Sequence, residues 1–288
     1  LLIGIGATFG SLASAGDYST VTDSRLINQE HNNWLQIRGN YEGWLHSRLD
    51  QITSGNVGNL QPVWSFATGV DEGHQAPPIV NDGVMFVATP QNQVIALDAV
   101  SGKQLWRYKR EIPEELFQLH PTSRGVALYG DNVYFASTDC FLIALDARTG
   151  EVVWEVATAD WQAGYYMSLA PFIAEGKVVV GTSGGEYGIR GFVSAYDSTT
   201  GAEVWLQHTV PAPGEPGSDT WPADDSWKTG GGSAWNTGTY DPETRIIYWG
   251  IGNAAPWIGE TRGSMDNLYT TSVIALALDT GHIIGHHQ

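Results

Sequence analysis

Apolar and polar residues alternate in short bursts along most of the chain, and most bursts end at a glycine, asparagine or aspartate. Alternation with a period of two marks half-buried strands, whose successive side chains leave opposite faces. The stretch after Gln75 shows the full layout: "APPIV", a turn at Asn81-Asp82-Gly83, "VMFVATP", a turn near Gln91-Asn92, "QVIALDA", a turn at Ser101-Gly102, then "QLWRY". Three turns between four strands predict an antiparallel meander, with aspartate capping the local backbone and glycine accepting a positive φ. The next units repeat the layout, with turns at Asp131-Asn132 and Glu175-Gly176.

Four segments resemble one another: "VIALDAVSGKQLWRY" from Val94, "LIALDARTGEVVWEV" from Leu142, "VSAYDSTTGAEVWLQ" from Val193 and "VIALALDTGHIIGHH" from Val273. The first three share an alternating strand, a D-x-x-[Ser/Thr]-Gly turn and a strand carrying a tryptophan. Trp106, Trp154 and Trp205 are 48 and 51 residues apart, and Trp64, 42 residues before Trp106, closes an earlier unit. A period from the forties to about fifty is that of β-propeller blades. The fold class is therefore all-β, with four-stranded antiparallel blades and a tryptophan on each last strand packing between neighbours. In the fourth segment Ala277 replaces the turn aspartate and Gly285 the tryptophan, and the sequence stops at Gln288. Three repeats plus pieces cannot close a ring and would leave open edges, which points to the amino-terminal part of a longer protein.

Composition agrees with short strands and tight turns: 35 glycines and 12 tryptophans, with only 16% charged residues. The 31 acidic and 14 basic residues give a net charge of −17, a field that repels nucleic acid and anionic membrane and sets both aside as partners. The single cysteine, Cys140, excludes an intrachain disulfide, and its place on a repeat strand reads as a small buried hydrophobe. The opening "LLIGIGATFGSLASAG" ends in Ala13-Ser14-Ala15, the small-x-small form of a signal-peptidase site. Residues 1–16 read as the remnant of a secretory signal peptide and 17–288 as the propeller part. No later segment reaches the roughly 18 apolar residues that a membrane span needs.

The residues that suggest chemistry lie in three glycine-rich segments: "GTSGGEYGIRG" (181–191), "GGGSAW" (230–235) and "GIGNAAPW" (250–257). In this order and spacing, with "LDQITSGNVGNLQPVW", "SRGVALYGDNVYFAS" and the tryptophan repeat, the chain resembles the pyrroloquinoline quinone (PQQ)-dependent alcohol dehydrogenases of the methanol and ethanol dehydrogenase type. The resemblance runs from about Trp34 to the last residue.

It implies an eight-bladed propeller, only about half of it present in this chain, with PQQ and Ca²⁺ or a lanthanide at the axis. Carried over by motif, Glu186 and Asn253 are the metal ligands, each supplying oxygen to a hard cation. Trp235 forms the floor under the quinone, Ser183, Gly184 and Gly185 meet the ring edge, and Arg124 meets a carboxylate or quinone oxygen. Gln75 stands where the family commonly has a glutamate, and Ser168 replaces a threonine while keeping its hydroxyl. The two adjacent cysteines that often form a disulfide over the quinone are here Gln118 and Leu119, so that ring is absent.

The implied function is oxidation of a small alcohol to an aldehyde or ketone, with electrons passed to a cytochrome c or a membrane quinone. The catalytic aspartate is expected beyond Gln288, so residues 1–288 alone should lack turnover. His286 and His287 face opposite ways on a strand and do not form a ligand pair. A homodimer is among the assemblies the resemblance admits. The alternative is a non-catalytic PQQ-repeat propeller acting as a binding or assembly scaffold, which would share the blades without the axial residues.

Overall fold

A computed structural model describes residues 18–28 and 30–288; the expected signal-peptide remnant, residues 1–16, lies outside the described residues. Four sheets of four strands follow one another. The first blade is β1 (Ile79–Asn81), β2 (Val84–Thr89), β3 (Gln93–Asp98) and β4 (Gln104–Lys109). The second is β5 (Ala127–Tyr129), β6 (Asn132–Ala136), β7 (Phe141–Asp146) and β8 (Val152–Ala157). The third is β9 (Phe172–Ala174), β10 (Lys177–Gly181), β11 (Phe192–Asp197) and β12 (Glu203–His208). The fourth is β13 (Thr239–Asp241), β14 (Ile246–Gly250), β15 (Val273–Ala277) and β16 (Ile283–His287). Within each blade the strands pair in sequence order, every pair antiparallel.

Burial falls from the middle strands outward. β3 and β7 are buried along nearly their whole length, whereas β8 alternates exposed and half-buried positions. The short first strands lie innermost: residues of β5, β9 and β13 line one small axial cavity together with Leu35, Ile37 and Tyr41. The third and fourth strands of every blade slip register at the same slot, after Ala96, Ala144, Ala195 and Ala275. Such a bulge bends the outer strand and strengthens its twist.

The repeated turn explains itself locally. Oδ1 of Asp98, Asp146 and Asp197 accepts the backbone N–H three residues on at 2.7, 2.8 and 2.8 Å. The glycine that ends each turn has a φ near +70°, where a side chain is strained. That glycine also receives the preceding tryptophan. A Cβ on Gly102, Gly150, Gly201 or Gly281 would fall 2.5, 2.6, 2.7 or 2.4 Å from the ring of Trp64, Trp106, Trp154 or Trp205. Each indole N–H donates to a carbonyl in the same turn, at Ala99, Ala147, Ser198 and Leu278, over 3.3, 3.0, 3.1 and 2.8 Å. Tryptophan, turn glycine and turn carbonyl thus form one clasp from each unit to the next. The fourth blade receives such a clasp although Ala277 and Gly285 break the sequence pattern.

Three expectations need correction. Trp64 makes the clasp but lies in no strand, because residues 60–69 pair with no neighbouring strand among the described residues. Cys140 is fully buried but sits at a turn with φ +63°, its N–H bonded to the Ser137 carbonyl, one residue before β7. Asn132 belongs to β6, and the turn before it is Gly130-Asp131. Among the described residues no helix is long and apolar enough to cross a membrane.

Candidate functional site

The meander puts particular loops at one end of the propeller. A first strand starts, and a second strand ends, at that same end. Gln75, Arg124, Ser168 and Trp235 lie three or four residues before β1, β5, β9 and β13, while Ser183 and Glu186 follow β10 and Asn253 follows β14. Eight residues singled out by the sequence therefore converge, and the structure brings Gln75, Arg124, Ser168, Ser183, Gly184, Glu186, Trp235 and Asn253 around one cleft of about 450 Å³. Gly185 is the exception: it is buried behind the surface, where a Cβ would come 2.9 Å from Ser233 Oγ.

The three glycine segments are stitched to one another by backbone. Gly191 N–H donates to the Gly231 carbonyl at 2.8 Å and Gly231 N–H to the Ile189 carbonyl at 2.9 Å, joining the first segment to the second. Gly232 N–H donates to the Asn253 carbonyl at 3.0 Å and Gly252 N–H to the Ser233 carbonyl at 2.8 Å, joining the second to the third. The approach leaves no room for side chains: a Cβ on Gly191 would fall 2.1 Å from the Gly232 carbonyl oxygen, and one on Gly184 (φ +99°) 2.2 Å from that of Gly164. Glycine here is a requirement of backbone on backbone.

Polar groups in the cleft are unevenly satisfied. Arg124 Nη1 donates to Ser168 Oγ at 2.7 Å and to the Ser168 carbonyl at 3.1 Å, and Ser168 Oγ lies 3.0 Å from Ser183 Oγ. The guanidinium stands over the Trp235 ring, 4.8 Å from the centroid. Burial pulls the Arg124 pKa below its ordinary value, and among the described residues no carboxylate pairs with it. Glu186, on a 3₁₀ turn over Gly185–Tyr187, accepts no hydrogen bond among the described residues. Asn253 donates its amide N–H to the Ala254 carbonyl at 3.2 Å, and among the described residues no donor reaches its Oδ1. The Tyr166 phenol is pushed up to about 12, first by burial, then by Tyr187 and the Glu186 charge. Trp235 keeps 41% of its surface exposed. Among the described residues the site thus holds a half-buried cation without an ion pair, a carboxylate that accepts no hydrogen bond and an indole still partly exposed beneath the guanidinium.

Leu119, His120, Tyr166 and Ser233 also line the cleft and were not singled out from the sequence as site residues. Tyr166 and Ser233 each sit two residues before a recognised position, so period-two spacing at the loop ends was the usable signal. Leu119, a position the resemblance gives to cysteine, presents an apolar side chain to the cleft. Among the described residues no group of three or more His, Cys, Asp or Glu side chains gathers to hold a metal. His286 packs edge-on against Tyr269 at 5.0 Å, and neither it nor His287 reaches the cleft.

Comparison with known proteins agrees with this arrangement. The model of the PQQ glucose/ethanol/alcohol dehydrogenase β-propeller family matches residues 34–288. The chain is 38% identical to quinohemoprotein alcohol dehydrogenase ADH IIB of Pseudomonas putida, over 100% of this chain and 44% of that protein. It is 38% identical to quinoprotein alcohol dehydrogenase PedH of Pseudomonas putida, over 100% of this chain and 52% of that protein. The solved quinohemoprotein alcohol dehydrogenase ADHIIG of Pseudomonas putida HK5 superposes with a TM-score of 0.89 at 37% identity, covering 95% of this chain and 43% of that one. A europium-containing methanol dehydrogenase superposes with a TM-score of 0.85 at 33% identity, covering 90% and 49%. The chain thus spans about half the length of the relatives it matches. With that family's model matching residues 34–288, the chain belongs to the PQQ glucose/ethanol/alcohol dehydrogenase β-propeller family.

Proposed function

We propose that the cleft binds PQQ together with Ca²⁺ or a lanthanide, and that the longer protein oxidises a small alcohol to an aldehyde or ketone. The observation that carries this reading is Arg124: a half-buried guanidinium, stacked on Trp235, with no carboxylate of its own. A flat ligand bearing carboxylates answers both groups at once, with an anionic oxygen on the guanidinium fork and its ring on the part of the indole that the guanidinium leaves exposed. Glu186 and Asn253 would hold the cation through oxygens that accept no hydrogen bond within the cleft, the hard donors such an ion takes. When bound, PQQ would accept two electrons and the hydrogen of the alcohol carbon, with the cation acting as Lewis acid.

The residues of this chain bind and orient. The Ser168–Ser183 hydroxyl pair holds the Arg124 guanidinium in place, Gly184 lets the backbone approach, and Gln75 offers an amide at the cleft edge. Leu119 and Tyr166 add apolar wall that keeps water from the ring. The family resemblance assigns the hydroxyl proton to an aspartate of the longer protein and keeps Glu186 for the cation. The four blades form half of an eight-bladed ring, and electrons pass to a cytochrome c or a membrane quinone in the periplasm. The haem carriers among the relatives support the first acceptor, and the apolar start ending in Ala13-Ser14-Ala15 supports the compartment. Calorimetric titration of the complete protein with PQQ plus Ca²⁺, and with PQQ plus La³⁺, tests the reading. Joint binding, weaker for each component alone, is expected; no PQQ binding with either cation overturns it.

A further inference from the structure

One segment outside the glycine motifs contacts the loops that carry Arg124 and Trp235. Residues 34–41 cross the axial cavity beneath the first strands. Trp34 pairs with Val80 through two backbone hydrogen bonds of 2.8 and 2.9 Å at one end. At the other end the Tyr41 hydroxyl donates to the Ile173 carbonyl at 2.9 Å, and the Tyr41 carbonyl accepts from Thr239 Oγ1 at 2.6 Å. Ile37 and Arg38 lie between these anchors.

Their contacts fall on the two loops that carry the stacked pair. Ile37 Cγ2 lies 3.1 Å from where a Cβ on Gly125 would stand, so it fills the space beneath the residue that follows Arg124. Arg38 donates Nη2 to the Thr237 carbonyl at 2.9 Å and Nη1 to the Gly238 carbonyl at 3.3 Å, just past Trp235. Thr237 is fixed laterally as well: its Oγ1 donates to the Ala170 carbonyl at 2.8 Å and accepts from Ala170 N–H at 3.2 Å, two residues from Ser168. Among the described residues no carboxylate neutralises Arg38, and its guanidinium donates to these two loop carbonyls.

We propose that Ile37 and Arg38 are positioning residues that set the stacking of Arg124 on Trp235, and through it the fit of the cleft to a planar anionic ligand. The proposal rests on the reading of the cleft as a quinone site, but the arrangement it describes exists without ligand. A guanidinium on two carbonyls fixes the loop in a plane, which a single ammonium cannot do. Partners that orient the ligands of a bound metal govern its affinity by about 10–100-fold when removed, and the same scale is expected of contacts that orient Arg124 and Trp235.

The experiment uses the complete protein with Arg38→Met, Arg38→Lys and Ile37→Ala, beside Trp106→Phe as a destabilised control. PQQ is titrated in the presence of Ca²⁺. Acrylamide quenching of Trp235, taken by difference against matched Trp235→Phe versions, is measured without ligand. Arg38→Met is expected to weaken PQQ binding by about 10–100-fold and to raise Trp235 quenching, with Arg38→Lys between it and the parent. Trp106→Phe should lose thermal stability while leaving both readouts in place. Parental PQQ affinity and quenching in Arg38→Met overturn the proposal, as does an equal loss of affinity in Trp106→Phe. If Arg38→Met does not fold, Arg38→Lys and Ile37→Ala carry the same comparison. A parent protein that fails to bind PQQ sinks the quinone reading instead, and the ligand-free quenching still judges Arg38.

Discussion

At the rim of the propeller a glycine faces an indole; at the axis a glycine faces a carbonyl. The rim glycines Gly102, Gly150, Gly201 and Gly281 each receive a tryptophan ring from the preceding unit, with its N–H satisfied in the same turn. The axial glycines Gly181, Gly184 and Gly191 would put a Cβ 2.3, 2.2 and 2.1 Å from carbonyl oxygens of other loops. The rim closes its polar accounts and buries large aromatic area, so its product is stability. The axis spends its glycines on bringing loops together and leaves Arg124, Glu186 and Asn253 Oδ1 without the partners they could take. Its product is a site.

The widest separation between the two regions should come from emptying a rim clasp. Trp106→Ala removes a buried indole and its bond to Ala147, and large-to-small changes of this kind cost about 3–5 kcal/mol. Denaturant unfolding of the complete protein should show that loss. PQQ affinity, corrected for the folded fraction, should not move. A weakened site in the folded fraction would mean that rim and axis are not independent.

The converse change, Arg124→Met, should reverse the pattern. The guanidinium is already penalised by burial, which pulls its pKa down, and it has no ion pair to lose. Its replacement by an apolar side chain of similar reach is expected to leave the melting temperature unchanged or raised. PQQ binding should fall by about 1.5–3 kcal/mol, the range for a hydrogen bond to a charged group. A variant that lost stability and kept its affinity would make Arg124 a structural residue and detach it from the ligand.

The same contrast explains what could be read from the sequence. Rim clasps recur because each blade repeats one local solution, so Asp98, Gly102 and Trp106 reappear as Asp146, Gly150 and Trp154 at a fixed spacing. Strand order and the tryptophan slots were legible for that reason. The axial loops were legible only through glycine bias and family resemblance. Their spacing records neither that Gly231 bridges Arg190 on one side and Ala254 on the other nor that Gly185 turns inward. Leu119 and His120 entered the cleft from a loop with no periodic signal, and Arg38 acts on a carbonyl 199 residues away. Trp64 shows the limit from the other side: its clasp follows the repeat, but among the described residues the segment around it pairs with no strand.

Ion pairs at the turns opposite the cleft sharpen the comparison by contributing little to either region. Arg245 donates to Glu175 and to Asp279, joining the third blade to the fourth, and Tyr240 donates to Glu175 at 2.5 Å. The Arg245 hydrogen bond, followed by that from Tyr240, holds the Glu175 carboxyl below its ordinary 4.5. A carboxyl with a lowered folded pKa stabilises fully above its ordinary value and loses that contribution as pH falls through the folded one. Because Glu175 is largely exposed, screening limits the gain to below about 1 kcal/mol, less still in high salt. Glu175→Gln should therefore cost little at neutral pH and nothing in acid where the parent is itself protonated, as read by urea unfolding across pH. It should leave PQQ affinity where it was. A loss comparable with that of Trp106→Ala would mean that charge, and not the indole clasp, joins these two blades.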